Sequence, residues 1–203
     1  MRDFNDPFEA RVSISMEGDD AAWQRQFGRL QPDQTRVRRL LPEFEEGVRQ
    51  NAEKLGMCCL SAKCDDILMW SHYSSSHRGI CLGFRTTGNS ILFDAQPIDY
   101  ADLYPVVDYL GMMPDQRVRT MILTKSKHWK YEQEWRVFRA GVEPGVEVYP
   151  DGMLAQVILG CQIRPEDREE IVAVASGLAQ PPEIYQAKRS ASRFHLELCK
   201  VEP

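Results

Sequence analysis

The sequence has no paired CxxC spacing, no Gly-rich phosphate loop, no internal repeat and no apolar run near the length of a membrane span. Each absence removes a class of protein. Without CxxC pairs, the six cysteines (Cys58, Cys59, Cys64, Cys81, Cys161 and Cys199) point to reduced packing thiols rather than a zinc site or a disulfide framework, and no metal is expected. Without a Gly-rich turn leading into a helix, the usual sequence signatures of nucleotide-phosphate loops are missing. The opening "MRDFNDPFEA" has no apolar h-region, so the expectation is a cytoplasmic protein with no membrane contact. An excess of positive charge is also lacking. At a formal net charge of −5, nonspecific coating of DNA is not expected, and Arg36, Arg38 and Arg39 in "TRVRRL" read as a solvated helix face.

What is present is the composition of a folded, water-soluble protein: 43% hydrophobic and 27% charged residues in a chain of 203, enough for one domain over 1–203 with a sizeable core. Residues 19 to 56 read as helical. Asp19 and Asp20 stand where a cap belongs, Trp23, Phe27 and Leu30 recur at helical spacing, and Leu41, Phe44, Val48, Ala52 and Leu55 do so again after a break near Pro42. "MCCLS" and "GICLGF" then read as strands, with a loop or short helix between them. A helical period returns from Pro114 to Trp129, through Val118, Met121, Ile122 and Lys125, before "EWRVFRAGVE" turns extended. "LAQVILG", a helix from Pro165 to Leu178, and the strands "EIYQAKR" and "FHLELCKV" close the chain. Helices and strands mix without a regular βαβ rhythm, so the predicted class is α+β, a mixed and mainly antiparallel sheet with helices packed on one side.

Three stretches hold most of the reactive side chains. In "KHWKYEQEWRVF" (127–138), an extended conformation from about Tyr131 sets Glu132, Glu134 and Arg136 on one face and Gln133 and Trp135 on the other. Two neighbouring carboxylates push their pKa values apart unless a cation compensates, which is a usable acid/base arrangement. The same alternation also describes the solvated face of an edge strand. In "LMWSHYSSSHRGICLGF" (68–84), Trp70, His72, Tyr73, His77 and Arg78 crowd ahead of a strand, with Ser74 to Ser76 as turn material. In "FNDPFE" (4–9), Asn-Asp-Pro predicts a turn with Phe4 and Phe8 folding inward.

Taken together with "VILGCQI", these stretches resemble the bacterial domain-of-unknown-function family 2971 (DUF2971). Members of that family begin with a further strand and helix carrying a Tyr-Arg-type motif, and this chain starts at Met1 almost on the "FNDPFE" turn, so the expectation is a shortened N-terminus. A second similarity is to ADP-ribosyltransferases, in which Glu-x-Glu enters a strand after an aromatic-rich loop in a small split sheet. That resemblance implies NAD as substrate. Glu134 would hold the ribose 2′-hydroxyl at an oxocarbenium-like transition state, and Glu132 would orient the acceptor. Tyr73 or Trp70 would stack on the nicotinamide or adenine, His72 or the Ser74 to Ser76 run would anchor a ribose, and Tyr131 and Arg78 belong to the same expected cofactor-binding set. The expected function is therefore an NAD-using ADP-ribosyltransferase-like enzyme of a bacterial defence or toxin locus, inactive if truncated. Two other readings stay open: a non-catalytic binding or regulatory module contacting a protein or nucleic-acid partner through the 68–78 loop, and a hydrolase or nuclease using Asp65, Asp66, His72 or His128 with a metal.

Overall fold

The computed structural model describes residues 6–30, 32–52, 55–86, 90–139, 145–146 and 148–201. Helices and mixed sheets alternate along the chain, giving an α+β fold. The chain packs as two compact units: Met1–Cys59 with Gln96–Lys130 and Phe138–Gly145, and Leu60–Ala95 with Tyr131–Val137 and Val146–Pro203.

In the first unit, Asp19 caps the helix Asp20–Phe27, its Oδ1 accepting the Ala22 N–H at 2.8 Å, as its position before an apolar period predicts. Trp23 stacks on Phe27 with ring centroids 5.2 Å apart, and Phe44 of the helix Leu41–Ala52 meets Tyr109 edge-on at 5.0 Å. These side chains close over Ile14, Val107, Met121 and Ile122, the core of the unit. Two short parallel ladders run beside it, Ser13–Ser15 with Val106–Asp108 and Asp99–Ala101 with Thr124–Ser126. Arg36, Arg38 and Arg39 lie exposed on the helix Gln34–Arg39.

The helix predicted from Pro114 to Trp129 ends at Ile122. The Thr124 hydroxyl donates to the Thr120 carbonyl at 2.8 Å, and the backbone then turns extended to pair with Asp99–Ala101. Ladder hydrogen bonds available only from a distant segment override the local helical period. Lys125, expected on a helix, is buried, with its ammonium 5.0 Å from the Trp129 ring centroid. At the N-terminus, Phe4 and Asn5 lie outside the described residues, and Asp6 forms the expected turn by accepting the Phe8 N–H at 2.9 Å. Phe8, however, is exposed rather than folded inward.

The second unit is built on a four-stranded sheet in the order Leu196–Lys200, Glu183–Arg189, Leu154–Leu159, Ile80–Phe84. The outer pairs are antiparallel and the central pair parallel, joined through the helix Pro165–Ser176. Alternation along Leu154–Leu159 sends side chains to both faces. Val157 and Leu159 pack with Ala175 of that helix, while Ile158 packs with Ala187, Leu196 and Trp70 of the short helix Ile67–Tyr73. Burial of Trp70 therefore seats the short helix on the sheet, a contribution of about 2–3 kcal/mol for so large a ring.

Candidate functional site

The second unit holds residues 68–84 and 131–137 of the reactive stretches, and the short helix organises them. Asp66 caps it, Oδ1 accepting the N–H groups of Leu68 and Met69 at 2.9 and 3.1 Å. One turn on, Trp70 points inward and its Nε1 donates to the Cys64 carbonyl at 2.8 Å. The last residue, Tyr73, leaves its ring half in solvent while its hydroxyl donates to Glu132 Oε1 at 2.7 Å. The helix end thus delivers a phenol to a carboxylate 59 residues away in sequence.

Glu132 and Glu134 are both buried, 3% and 5% exposed, so the edge-strand reading of their alternation does not hold. The outward face is the other one, with Gln133 and Trp135 in solvent. Lys127–Glu132 is a 3-10 helix and the strand Glu134–Arg139 begins only after it. The switch takes place at Gln133, whose φ of 44° is left-handed and costs a non-glycine residue about 1–2 kcal/mol. Its carbonyl accepts the Ala62 N–H at 3.0 Å and the Glu132 carbonyl accepts the Ser61 hydroxyl at 2.6 Å, so the strained link is fastened on both sides. Backbone strain of this kind is held where side chains must be aimed.

Arg136, entirely buried, engages Glu134 in a fork, Nε to Oε1 at 2.6 Å and Nη2 to Oε2 at 3.1 Å. Glu132 faces the phenol. Of the two glutamates expected to be catalytic, Glu134 has both of its oxygens engaged by a guanidinium with no solvent exposure. Tyr73, the phenol bonded to Glu132, reaches solvent.

Around this corner, the ring centroid of His72 lies 6.4 Å from those of Tyr73 and Tyr131, and His72 itself is exposed. Ser74 is buried as a turn residue, its hydroxyl donating to the Ile80 carbonyl at 3.4 Å and its carbonyl accepting from the N–H groups of Arg78 and Gly79. A Cβ at Gly79 would stand 2.8 Å from the Ser74 Oγ, so this turn needs glycine there. Arg78 is exposed, and Trp70 is buried as core rather than presented as a stacking surface. Tyr73, His72, Tyr131 and Glu132 are brought together; Trp70 and Ser74 serve the scaffold.

Sequence reasoning missed two features. Ser75, Ser76 and His77 have φ of 48°, 55° and 66°, a left-handed run that the Ser-Ser-Ser repeat marked only as a turn. The carbonyl of His77 accepts the Gln162 N–H at 3.0 Å, which fastens that run to the segment after the central strand. Arg136 is the other: its spacing places it on the face of the two glutamates but does not reveal it as the fully buried centre of the corner. Of the residues considered for metal chemistry, Asp66 is a helix cap, Asp65 lies 3.9 Å from His195, and His128 is in the first unit, bonded to Ser126 at 2.9 Å. Among the described residues no group of three or more His, Cys, Asp or Glu side chains stands together to hold a metal ion.

Fold and site together define an α+β protein with a buried, aromatic-flanked Glu-x-Glu corner. Residues 69–137, about a third of the chain, match the family described as "Protein of unknown function (DUF2971)". Trp70, His72, Tyr73, Tyr131, Glu132, Glu134 and Arg136 all fall inside that match. No curated protein and no solved structure matches the chain. No helix among the described residues is long and apolar enough to cross a membrane.

Proposed function

We propose that the Glu-x-Glu corner is the reactive centre of an ADP-ribosyltransferase-like enzyme using NAD, with Glu132 as its working carboxylate. The observation that carries this reading is the Tyr73–Glu132 hydrogen bond: a half-exposed phenol is the gate between solvent and a buried carboxylate. A ribose hydroxyl entering beside Tyr73 replaces a bond of the same kind. The bond from C1′ of the ribose to N1 of nicotinamide breaks, and its electron pair leaves with neutral nicotinamide. The acceptor's oxygen or nitrogen forms the new bond to C1′ and its proton passes to a carboxylate. Negative charge on Glu132 favours the oxocarbenium character that develops at C1′. Glu134 and Arg136 are positioning residues: a bidentate, buried pair fixes the start of the strand that follows Glu132.

A second reading has its own observation. A carboxylate locked in a buried fork is also what a structural strut looks like, and on that view the exposed Tyr73, His72 and Arg78 contact a partner without chemistry.

Nicotinamide release separates the two. The purified protein is incubated with NAD, and free nicotinamide is quantified for the wild type, Glu132→Gln and Glu134→Gln. The enzyme reading expects turnover that falls by about 100-fold or more in Glu132→Gln, with its melting temperature little changed. A folded wild-type protein that neither releases nicotinamide nor changes its melting temperature with NAD ends that reading in favour of the binding module.

A further inference from the structure

A cavity of about 510 Å³ opens in the second unit, away from the Glu132 corner's own residues, between the end of the strand Glu183–Arg189 and the loop that follows it. Its volume suits a ligand of nucleotide size. Arg189 and Arg193 stand on its wall, both exposed, and neither guanidinium has an ion-pair or hydrogen-bond partner in the described protein. Arginines that answer no carboxylate keep their planar donor forks for an outside anion. Ser190 and Ser192 lie between them, in a loop drawn tight by the Ser190 N–H donating to the His195 carbonyl at 3.0 Å.

Phe194 and His77 also stand on the wall. Phe194 is wholly exposed, a placement that burial cannot explain in a loop otherwise made of small and charged residues. His77, from the left-handed turn, also lines the cavity; its ring is stacked on Trp70, and its Nδ1 is buried with no partner within the protein. Asp65 lies 3.9 Å from His195 of this wall. Two cations, two hydroxyls and a bare aromatic face are the set of groups that a phosphorylated molecule carrying a ring requires.

We propose that this cavity binds a nucleoside phosphate, the phosphates meeting Arg189, Arg193 and the two serines, and the base stacking on Phe194. The site does not depend on the reaction proposed at Glu132. A ligand held here fastens the His77 turn, and through the Trp70–His77 stack it touches the helix that presents Tyr73.

The test is equilibrium binding of ADP, pyrophosphate and adenosine to the whole chain by isothermal titration calorimetry. ADP is expected to bind, and the double variant Arg189→Ala/Arg193→Ala to weaken it by roughly tenfold or more, together with pyrophosphate. Phe194→Ala is expected to weaken ADP by about fivefold while leaving pyrophosphate unchanged. All three substituted side chains are exposed, so the variants keep the wild-type circular dichroism spectrum. Absence of ADP binding to the wild type overturns the proposal, as does binding that the double arginine variant leaves intact. Binding of pyrophosphate and ADP with equal affinity, unmoved by Phe194→Ala, overturns the nucleoside part. Glu132→Gln is expected to bind ADP like the wild type, so a failure of the NAD reaction and a failure of this site are told apart.

Discussion

Arg136 has no solvent exposure, and its guanidinium holds both oxygens of Glu134. Replacing it with methionine leaves a buried carboxylate without that cation. Removing one partner of a buried pair costs about 3–5 kcal/mol, whereas replacing both with apolar groups of similar volume is often near neutral. Arg136→Met is therefore expected to lower stability in urea denaturation by about 3–5 kcal/mol, and Glu134→Leu/Arg136→Met to recover most of it. If the single variant is as stable as the wild type, the pair is not the structural strut of the corner. Cys81 supplies a separate residue-scale prediction. Burial pushes its thiol up from about 9 to about 11, with Cys64 nearby adding to the rise. A folded pKa above the unfolded one means that this contribution to stability is complete below pH 9 and is lost as pH rises toward 11. The urea midpoint should fall across that window, and fall less in Cys81→Ala.

At the scale of elements, the short helix Ile67–Tyr73 and the link at Gln133 decide whether Tyr73 meets Glu132. Asp66→Ala removes the cap and should cost about 1 kcal/mol. Because Tyr73 sits at the far end of a seven-residue helix, fraying there should also raise hydrogen exchange across 67–73. Gln133→Gly is expected to be at least as stable as the wild type, since glycine adopts φ of 44° without a Cβ penalty, while Gln133→Val should lose about 1–2 kcal/mol. Equal melting temperatures for both variants would mean that no strain is stored at this position. Element existence was largely legible. The cap at Asp19, the strands around Cys81 and Val157, and the helix after Pro165 follow from periodicity and end signals. The early end of the Pro114 helix was not, because its last turn competes with a strand pairing 25 residues upstream. The inward face of the Glu-x-Glu strand was not either. An alternating pattern gives two faces but does not say which is buried when one is charged and the other carries a tryptophan.

At the scale of the molecule, each compact unit is assembled from separated stretches of chain. In the first, Ile14, Trp23 and Phe44 rest on Val107, Met121 and Ile122, so the segment Met1–Cys59 lacks the far side of its own core. Expressed alone, that segment should show weak helical circular dichroism and no cooperative thermal transition, whereas the full chain should show one. Cooperative folding of the fragment would refute this account of the core. The second unit contains both the Glu132 corner and the arginine-walled cavity, and the matched residues 69–137 contribute the corner but not the Arg189–Leu196 wall.

By itself the sequence determined the class of fold, most of the elements and the set of side chains with reactive potential, because period, capping and charge are local properties. Only the tertiary structure decided their roles. It buried Glu132 and Glu134, paired one with Arg136 and the other with Tyr73, and turned Trp70 into core. It also gathered Arg189, Arg193, Phe194 and His77 around one cavity. The reason is physical: the surroundings of each carboxylate depend on desolvation and on partners brought from tens of residues away, and neither is written in the spacing of a strand.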